Sequence, residues 1–400
     1  MRIFDKADIL IPRDADMGRW SCVACDQYTS QPEYWQQVED FVGGAPSTLR
    51  LMLPEAWLDS RDSGVETEKI YQAMAAYQER GVFRALPDSL VYVERTLRSG
   101  AVRKGLVGVL DLEQYDWAEG TATPIRATEG TVESRLPARV RVRMGASLEM
   151  PHIMVFINDP GNTVIPSAGG GEVLYDFELM QDGGHIRGAR VSGAAADRVL
   201  DALEALPSQG IRYAMGDGNH SLAAAKRCWE QVREGLDAGE RERHPARFAL
   251  AELVNIHDEA VTFEPIHRVL FGTDAAAFLD EAAACFGAAQ SGREVVLCAG
   301  GATRTVHVPG LTLGQLVAKA ESFCQDFINR HGGSIDYIHG DDTALSMSRR
   351  DGCAALLLPK LEKAELFSSV ERSGPFPKKS FSIGHAEDKR FYLECRKITV

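Results

Sequence analysis

The segment IRYAMGDGNHSLAAAK, residues 211–226, joins two apolar patterns through a short polar turn. Residues 211–215 form a short, mostly apolar run that is typical of a buried strand. Residues 221–236 place apolar side chains three and four positions apart, which predicts a helix with one buried face. These apolar positions are Leu222, Ala225, Trp229, Val232 and Leu236. The segment therefore predicts a strand, a tight turn and a helix in direct succession.

The turn from Gly216 to Ser221 contains residue types that suit an anion. Gly216 and Gly218 allow the backbone to come close to a ligand and to adopt positive φ. The N–H groups of the first helical turn, with the helix dipole behind them, favour negative charge. Ser221 is suited to cap this turn or to donate to a phosphate oxygen. These features predict a phosphate-binding turn.

Three more polar side chains complete the same turn. Asp217 is a candidate general base or Mg²⁺ ligand, and His220 is a candidate phosphate donor or proton shuttle. Asn219, between them, is a candidate ligand-binding residue. The alternative interpretation is that Asp217 and Gly218 form an ordinary turn and Ser221 an ordinary N-cap. The density of polar side chains at one strand-to-helix junction favours a functional site.

Helical and strand patterns alternate along the rest of the chain. The predicted helices are 66–77, 195–206 and 312–330, the last opening with a capping box from Thr312 to Gln315. The predicted strands are 90–94, 105–110, 152–157, 248–256, 335–338 and 354–358. The fold class is therefore α/β or α+β, with mixed sheets and flanking helices. Because 400 residues exceed the usual size of one core, we expect two lobes, 1–193 and 194–400, with the GDGNHS motif in the second, or else one elaborated domain.

Composition limits the partners of the protein. Lys and Arg number 44 against 57 Asp and Glu, which gives a net charge of −13. A surface this acidic argues against binding nucleic acid or an anionic membrane, although a small anion still fits a local basic pocket. The N-terminus does not resemble a signal peptide, and no apolar run approaches the length of a membrane span. The eight cysteines are scattered, as expected of reduced thiols in a cytoplasmic protein.

Six segments in the same order resemble one family of bacterial and archaeal proteins. They are CDQYTSQPEYW at 25–35, GLVGVLDLEQY at 105–115, IRATEG at 125–130 with Arg135 after it, GDGNHS at 216–221, EPIHRV at 264–269 and FPKKSF at 376–381. On these segments the chain is identified as a member of the family called domain of unknown function 1015. That family has no established common activity, so the resemblance does not indicate which reaction the protein catalyses.

The order strand, Asp-Gly-x-His, helix is also similar to the phosphate-contacting motif of the ParB–sulfiredoxin superfamily. Members of this superfamily bind nucleotide phosphates there, and they include free-serine kinases, sulfiredoxins and CTP-hydrolysing partition proteins. The resemblance implies that Asp217 matches the catalytic aspartate of the serine kinases and His220 the phosphate-contacting histidine. Ser221 stands where those proteins usually carry arginine, which removes a bidentate phosphate donor.

Basic residues in the other family segments are candidates to replace that arginine. They are Arg126, Arg135, His267, Arg268, Lys378 and Lys379. The alternative for each is a solvated surface charge, above all for the two lysines. Glu129, between the first two arginines, is a candidate to orient the acceptor hydroxyl. We expect one site to unite Glu129, Arg135 and His267 with Asp217.

The leading functional hypothesis is a nucleotide-dependent phosphotransferase that acts on a small hydroxylated metabolite, with Mg²⁺ and ATP or ADP as cofactors. The alternative is a non-catalytic regulatory protein that binds a nucleotide or small anion and works as a homodimer. A hydrolase that activates water through His220 and Asp217 ranks lower, because no G-x-S-x-G motif occurs. DNA binding ranks lowest, since the net charge opposes it.

Overall fold

A computed structural model describes residues 2–58, 60–118, 120–150, 152–287 and 289–400. The chain divides into two compact units. Unit 1 comprises Met1–Ala127, Thr131–Val261 and His385–Val400, and unit 2 comprises Thr128–Gly130 and Thr262–Gly384. The predicted boundary between residues 193 and 194 falls inside unit 1, whereas the chain enters the main part of unit 2 at Thr262.

The strands are numbered in chain order. They are β1 (Phe4–Asp5), β2 (Ala7–Pro12), β3 (Cys22–Val23), β4 (Phe83–Thr96), β5 (Val102–Asp111), β6 (Tyr115–Asp116), β7 (Ile125–Arg126), β8 (Leu148–Glu149), β9 (Met154–Ile157), β10 (Glu172–Glu178), β11 (His185–Ser192), β12 (Tyr213–Asp217), β13 (Phe248–Asn255), β14 (Phe263–Phe271), β15 (Arg293–Ala299), β16 (Ala302–Val308), β17 (Ser334–His339), β18 (Cys353–Leu357), β19 (Phe381–Ile383), β20 (Phe391–Tyr392) and β21 (Arg396–Lys397).

The α-helices are numbered in the same way. They are α1 (Met17–Trp20), α2 (Pro32–Val42), α3 (Ser63–Glu79), α4 (Leu136–Met144), α5 (Gly193–Ala205), α6 (Asn219–Arg233), α7 (Ala238–Arg243), α8 (Ala275–Phe286), α9 (Leu313–His331), α10 (Asp341–Ser348) and α11 (Leu366–Ser373). Within the described parts of the chain, no helix is long and apolar enough to cross a membrane.

Unit 1 is built on a mixed sheet with the strand order β10-β11-β4-β5-β13-β9-β12-β7-β6, to which β1 and β2 add at β5 and β4. β12 runs parallel to β7 and antiparallel to β9. Alternate residues of the central strands enter two different cores, because side chains alternate across a strand. Val91 and Val107 belong to the core that also contains Ile70 and other residues of α3. Leu90 and Leu106 belong to the core that receives α5 and α6.

Unit 2 contains a six-stranded sheet of order β16-β15-β18-β14-β17, with β19 also on β14. All of these pairings are antiparallel. Helix α9 buries an apolar face that includes Phe323 and Phe327, and both rings contact Phe278 of α8. The predicted capping box of Thr312 and Gln315 is present at the start of α9.

The predicted fold class is confirmed, as mixed sheets with flanking helices, and so is the succession of strand, GDGNHS turn and helix. The strand predicted at 211–215 is Tyr213–Asp217, and the helix predicted from residue 221 begins at Asn219. The helix starts earlier because Gly218 adopts a left-handed conformation and is itself the N-cap. Ser221 is therefore the third residue of α6, and its predicted N-cap role is wrong.

Candidate functional site

The turn between β12 and α6 depends on Gly218. Its φ of 78° and ψ of 26° are left-handed, and a Cβ atom there would lie 3.1 Å from Cα of Ile153. Both the conformation and the close approach favour glycine. No side chain at the N-cap bonds to the first turn of α6. The helix therefore presents its amino end without an N-cap hydroxyl or carboxylate, an arrangement that suits an anion.

Gly216 lacks the predicted positive φ, and its predicted contact with a ligand stays a prediction. It lies in β12 and is not among the residues with positive φ. A Cβ atom at this position would lie 3.0 Å from the ring of Phe156 on the neighbouring strand β9. The absence of a side chain at Gly216 therefore serves packing within the sheet, and positive φ holds only at Gly218.

Asp217 ends β12 with its two carboxylate oxygens in different environments. Oδ1 accepts a hydrogen bond of 2.8 Å from the N–H of Gly218. Oδ2 is buried without a hydrogen-bond partner and lies 3.4 Å from Nζ of Lys389. Both side chains are only 16–17% exposed. The carboxylate is thus held by one oxygen, while the other faces a cation.

Asp26 and His152 lie beside Asp217. Nε2 of His152 is 3.6 Å from Oδ2 of Asp26, and one ligand atom from each of the three residues lies within 4.8 Å of the other two. Burial alone would lower the pKa of His152, but the carboxylates of Asp26 and Asp217 raise it above its ordinary value. Burial alone would raise the pKa of Asp26, but the charge of His152 holds it well below its usual range. The three side chains form an electrostatically coupled cluster.

The other polar residues of the turn have distinct surroundings. Nε2 of His220 accepts a hydrogen bond of 3.1 Å from the N–H of Val132. In a neutral ring the proton is consequently on Nδ1. The side-chain oxygen of Asn219 is buried without a hydrogen-bond partner. Ser221 lines a cavity, described next.

A cavity of about 160 Å³ opens beside the turn in unit 1. Most of its wall is apolar, and Ala224 of α6 contributes to it. His152 and Ser221 are among its polar groups. Arg143, another lining residue, forms an ion pair of 2.7 Å with Glu149. A small molecule with an apolar body and a polar group fits this combination.

The family described as "Protein of unknown function (DUF1015)" matches residues 8–350. The chain belongs to this family. By sequence, this DUF1015 protein matches no curated protein.

Several solved structures are remotely similar to the DUF1015 chain. SbnI with a C-terminal truncation, from Staphylococcus aureus, has 11% identity and a TM-score of 0.38, over 70% of this chain and 82% of that one. A free serine kinase in complex with AMP has 11% identity and a TM-score of 0.38, over 73% and 90% of the two chains. A conserved hypothetical protein from Pyrococcus furiosus has 12% identity and a TM-score of 0.34, over 73% and 94%. These likenesses assign no activity to this chain.

Two predicted basic residues of the DUF1015 protein lie in unit 1 with the turn. Arg126 is in β7, opposite Ala214 of β12, and its Nε donates to the carbonyl of Thr123 at 2.9 Å. Arg135 is exposed just before α4, and its carbonyl accepts from Arg139 at 3.0 Å. Their predicted role at a phosphate stays a prediction.

Glu129, Lys378 and Lys379 belong to unit 2. Oε1 of Glu129 accepts a hydrogen bond of 2.8 Å from the backbone N–H of Lys379. The side chains of both lysines are exposed. Glu129 thus contributes to the backbone arrangement of the FPKKSF segment, where Lys379 adopts a φ of 58°.

His267 and Arg268 are both buried in unit 2. Nε2 of His267 lies 2.8 Å from Oδ1 of Asp341, and its Nδ1 accepts from the N–H of Leu358 at 3.1 Å. Arg268 donates to the carbonyls of Ile266 and Lys379 at 2.7 and 2.9 Å. These contacts connect β14 to Asp341, Leu358 and Lys379. A single site that contains Glu129, Arg135 and His267 together with Asp217 stays a prediction.

Three residues at the candidate site escaped the sequence interpretation. Asp26 lies inside the CDQYTSQPEYW segment, so that segment held a usable signal. His152 precedes an apolar strand, where a single histidine is not distinctive. Lys389 reaches Asp217 only because the chain returns to unit 1 at His385, and no local pattern indicates such a return.

Proposed function

We propose that the protein binds the phosphates of a nucleotide at the amino end of α6 and transfers a phosphoryl group to a small hydroxylated metabolite. The observation that supports this most directly is the position of Asp217. Its Oδ2 has no hydrogen-bond partner and lies at the entrance to a helix with a glycine N-cap. Phosphoryl transfer depends mainly on positioning and on stabilising charge, which these groups supply.

Lys389 provides the positive charge that Ser221 does not. The superfamily motif usually carries arginine at the position of Ser221, and an ammonium can serve a phosphate as a point charge in its place. Nζ of Lys389 is 3.4 Å from Asp217, beside the amino end of α6. We propose that Lys389 contacts the phosphates together with the N–H groups of the first turn.

Asp217 would orient the acceptor hydroxyl and accept its proton. Mg²⁺, when bound with the nucleotide, would neutralise charge on the phosphates, and Oδ2 of Asp217, which accepts no hydrogen bond, is a hard oxygen ligand that suits this cation. The acceptor would occupy the cavity that Ser221 and Ala224 line. Its largely apolar wall favours an acceptor with an apolar body and one hydroxyl group.

A thermal-shift screen against ATP, ADP, CTP and GTP, with and without Mg²⁺, tests the binding step. A ligand at roughly 100 times its Kd adds about 2.7 kcal/mol of stability, a readily measured shift. A Mg²⁺-dependent shift with one nucleotide supports the proposal, and no shift with any of them overturns it. A shift without phosphoryl transfer to hydroxylated acceptors would instead support the regulatory nucleotide-binding protein.

A further inference from the structure

The cluster of Asp26, His152 and Asp217 is built from rigid elements. Asp217 ends β12 and pairs with Met154 of β9, and His152 lies two residues before Met154. Asp26 follows β3, which pairs with β20. Oδ1 of Asp26 accepts a hydrogen bond of 3.0 Å from the side chain of Gln27, which fixes the carboxylate with Oδ2 on the side of His152. The three side chains are thus held by different parts of unit 1.

The histidine of this cluster is oriented by Tyr392. His152 is 1% exposed, and its Nδ1 lies 2.8 Å from the hydroxyl of Tyr392. That hydroxyl donates to Sγ of Cys25 at 3.1 Å, so toward His152 it acts as an acceptor. Nδ1 therefore carries a proton, so that when Nε2 is unprotonated its lone pair is directed toward the carboxylates. Histidines that bind metals commonly donate their other N–H to an oxygen in this way.

The spacing within the cluster suits an ion better than direct hydrogen bonds. Nε2 of His152 has no hydrogen-bond partner, since 3.6 Å to Asp26 exceeds hydrogen-bond length. A metal ion about 2.1 Å from each ligand separates ligand atoms by roughly 3–4 Å. The three atoms here lie within 4.8 Å of one another, so a small inward movement of the side chains would complete such a shell.

We propose that Asp26, His152 and Asp217 bind a divalent transition-metal ion of the Mn²⁺ or Zn²⁺ class. Two carboxylates balance the charge of the ion, and the imidazole nitrogen favours a transition metal over Mg²⁺, which prefers oxygen ligands. Three protein ligands leave at least one coordination position for water or a substrate oxygen. The inference goes beyond the proposed function because this ion needs no nucleotide.

The positive charge of Lys389 would weaken the binding of the metal ion. Its ammonium is 3.4 Å from Oδ2 of Asp217 and repels a divalent cation at the same carboxylate. Lys389→Met should therefore tighten metal binding. The same substitution should weaken nucleotide binding under the proposed function, so the two proposals predict opposite effects of one change.

The test is calorimetric titration of chelator-treated protein with Mn²⁺, followed by competition with Zn²⁺ and Mg²⁺. Mn²⁺ is the primary probe because the partly exposed thiols of Cys25 and Cys285 would also bind Zn²⁺. We expect one Mn²⁺ per chain, displaced by Zn²⁺ and not by equimolar Mg²⁺. Asp26→Asn and His152→Ala should weaken binding by at least about tenfold, and Tyr392→Phe by about 10- to 100-fold, the range found for residues that orient a ligand.

His185→Ala is the matched control. Nε2 of His185 forms a 2.7 Å pair with Asp176, but this pair is more exposed and belongs to no cluster of three candidate ligands in the described chain. Mn²⁺ affinity should be unchanged in this variant. Asp26→Asn keeps the size of the side chain, so circular dichroism should show a native fold and keep the comparison valid if His152→Ala fails to fold.

Two results would overturn the inference: no Mn²⁺ binding by the wild-type protein, or equal binding by the wild-type protein and Asp26→Asn. Nucleotide binding is measured separately on Asp26→Asn by the thermal-shift assay. Retained nucleotide binding in a protein that never binds Mn²⁺ would refute the metal site alone. Mn²⁺ binding without any nucleotide shift would refute the proposed function alone.

Discussion

Nζ of Lys389 lies 3.4 Å from Oδ2 of Asp217, which joins the segment of unit 1 that follows unit 2 to the turn that precedes α6. The residue after Lys389 is anchored by buried ion pairs. Arg390 lies 2.7 Å from both Glu252 and Glu394, and all three side chains are at most 6% exposed. Breaking a buried pair of this kind is costly, because it leaves a charge without its partner. The position of Lys389 is therefore fixed by the fold.

Lys389→Met should weaken nucleotide binding by about 10- to 100-fold, the range expected for the loss of one charge-assisted contact. Lys360→Met is the control, because Lys360 forms an exposed pair of 3.5 Å with Glu264 in unit 2. Titration calorimetry with the nucleotide identified in the screen measures both variants. Equal affinities in Lys389→Met and wild type would remove Lys389 from the phosphate site.

Asp217→Asn should lower phosphoryl transfer by roughly 10²- to 10⁴-fold, the usual contribution of a general base. The fold should persist, since an amide oxygen can still accept the hydrogen bond from the N–H of Gly218. Single-turnover assays with saturating nucleotide separate chemistry from binding. Full activity in a correctly folded variant would show that the proposed role of Asp217 is wrong.

Gly218→Ala should destabilise unit 1 more than Gly193→Ala. Both glycines have positive φ, 78° and 56°, and alanine in this region costs about 1–2 kcal/mol. A Cβ atom at Gly193 would meet nothing within 4 Å, whereas at Gly218 it would press on Cα of Ile153. Denaturant unfolding followed by tryptophan fluorescence reports the difference, since all five tryptophans lie in unit 1. An equal loss of unfolding free energy in the two variants would mean that Ile153 can move away from the added Cβ atom at no cost.

The fold was largely predictable because its strands and helices carry strong local patterns. The apolar runs within β5 and β13 and the 3-4 spacing of α6 and α9 identify these elements without knowledge of the tertiary structure. The family segments likewise identified the turn around Asp217. The partners of Asp217 were less accessible, since His152 and Lys389 meet it through strand pairing and through the return of the chain to unit 1. Such long-range contacts produce no periodic pattern of residues in the sequence.

Ala224→Leu should block the acceptor and leave nucleotide binding unchanged. Ala224 lines the cavity of about 160 Å³, so added methyl groups enter open space. Ala223 on the same helix is fully buried in the core and does not line the cavity. Ala223→Leu should therefore cost about 1–3 kcal/mol through overpacking, and Ala224→Leu less. Denaturant unfolding and the KM for the acceptor are the measurements, and an unchanged KM in Ala224→Leu would place the acceptor elsewhere.

Acidification below about pH 6.5 should destabilise unit 2 through His267. Burial lowers the pKa of His267 despite the hydrogen bond to Asp341. The unfolded chain, with an ordinary histidine pKa of about 6.5, then binds the proton more readily than the folded chain. The stabilising effect is complete above that pH and is lost as the pH falls below it. Hydrogen exchange of the β14 amides measures the stability of unit 2 between pH 7.5 and 5.0. This stability should depend less on pH in His267→Gln than in the wild-type protein. The same pH dependence in both proteins would exclude His267 as the cause.

The discontinuity of unit 1 has a consequence for biosynthesis. The residues His385–Val400 leave the ribosome only after the whole of unit 2 has been translated. Until then the nascent chain contains Asp217 and α6 but lacks Lys389, and β3 and β8 have not met β20 and β21. Translation must therefore pass through the whole of unit 2 before the turn acquires its balancing charge, and a product terminated within unit 2 would carry the GDGNHS motif in an unfinished domain.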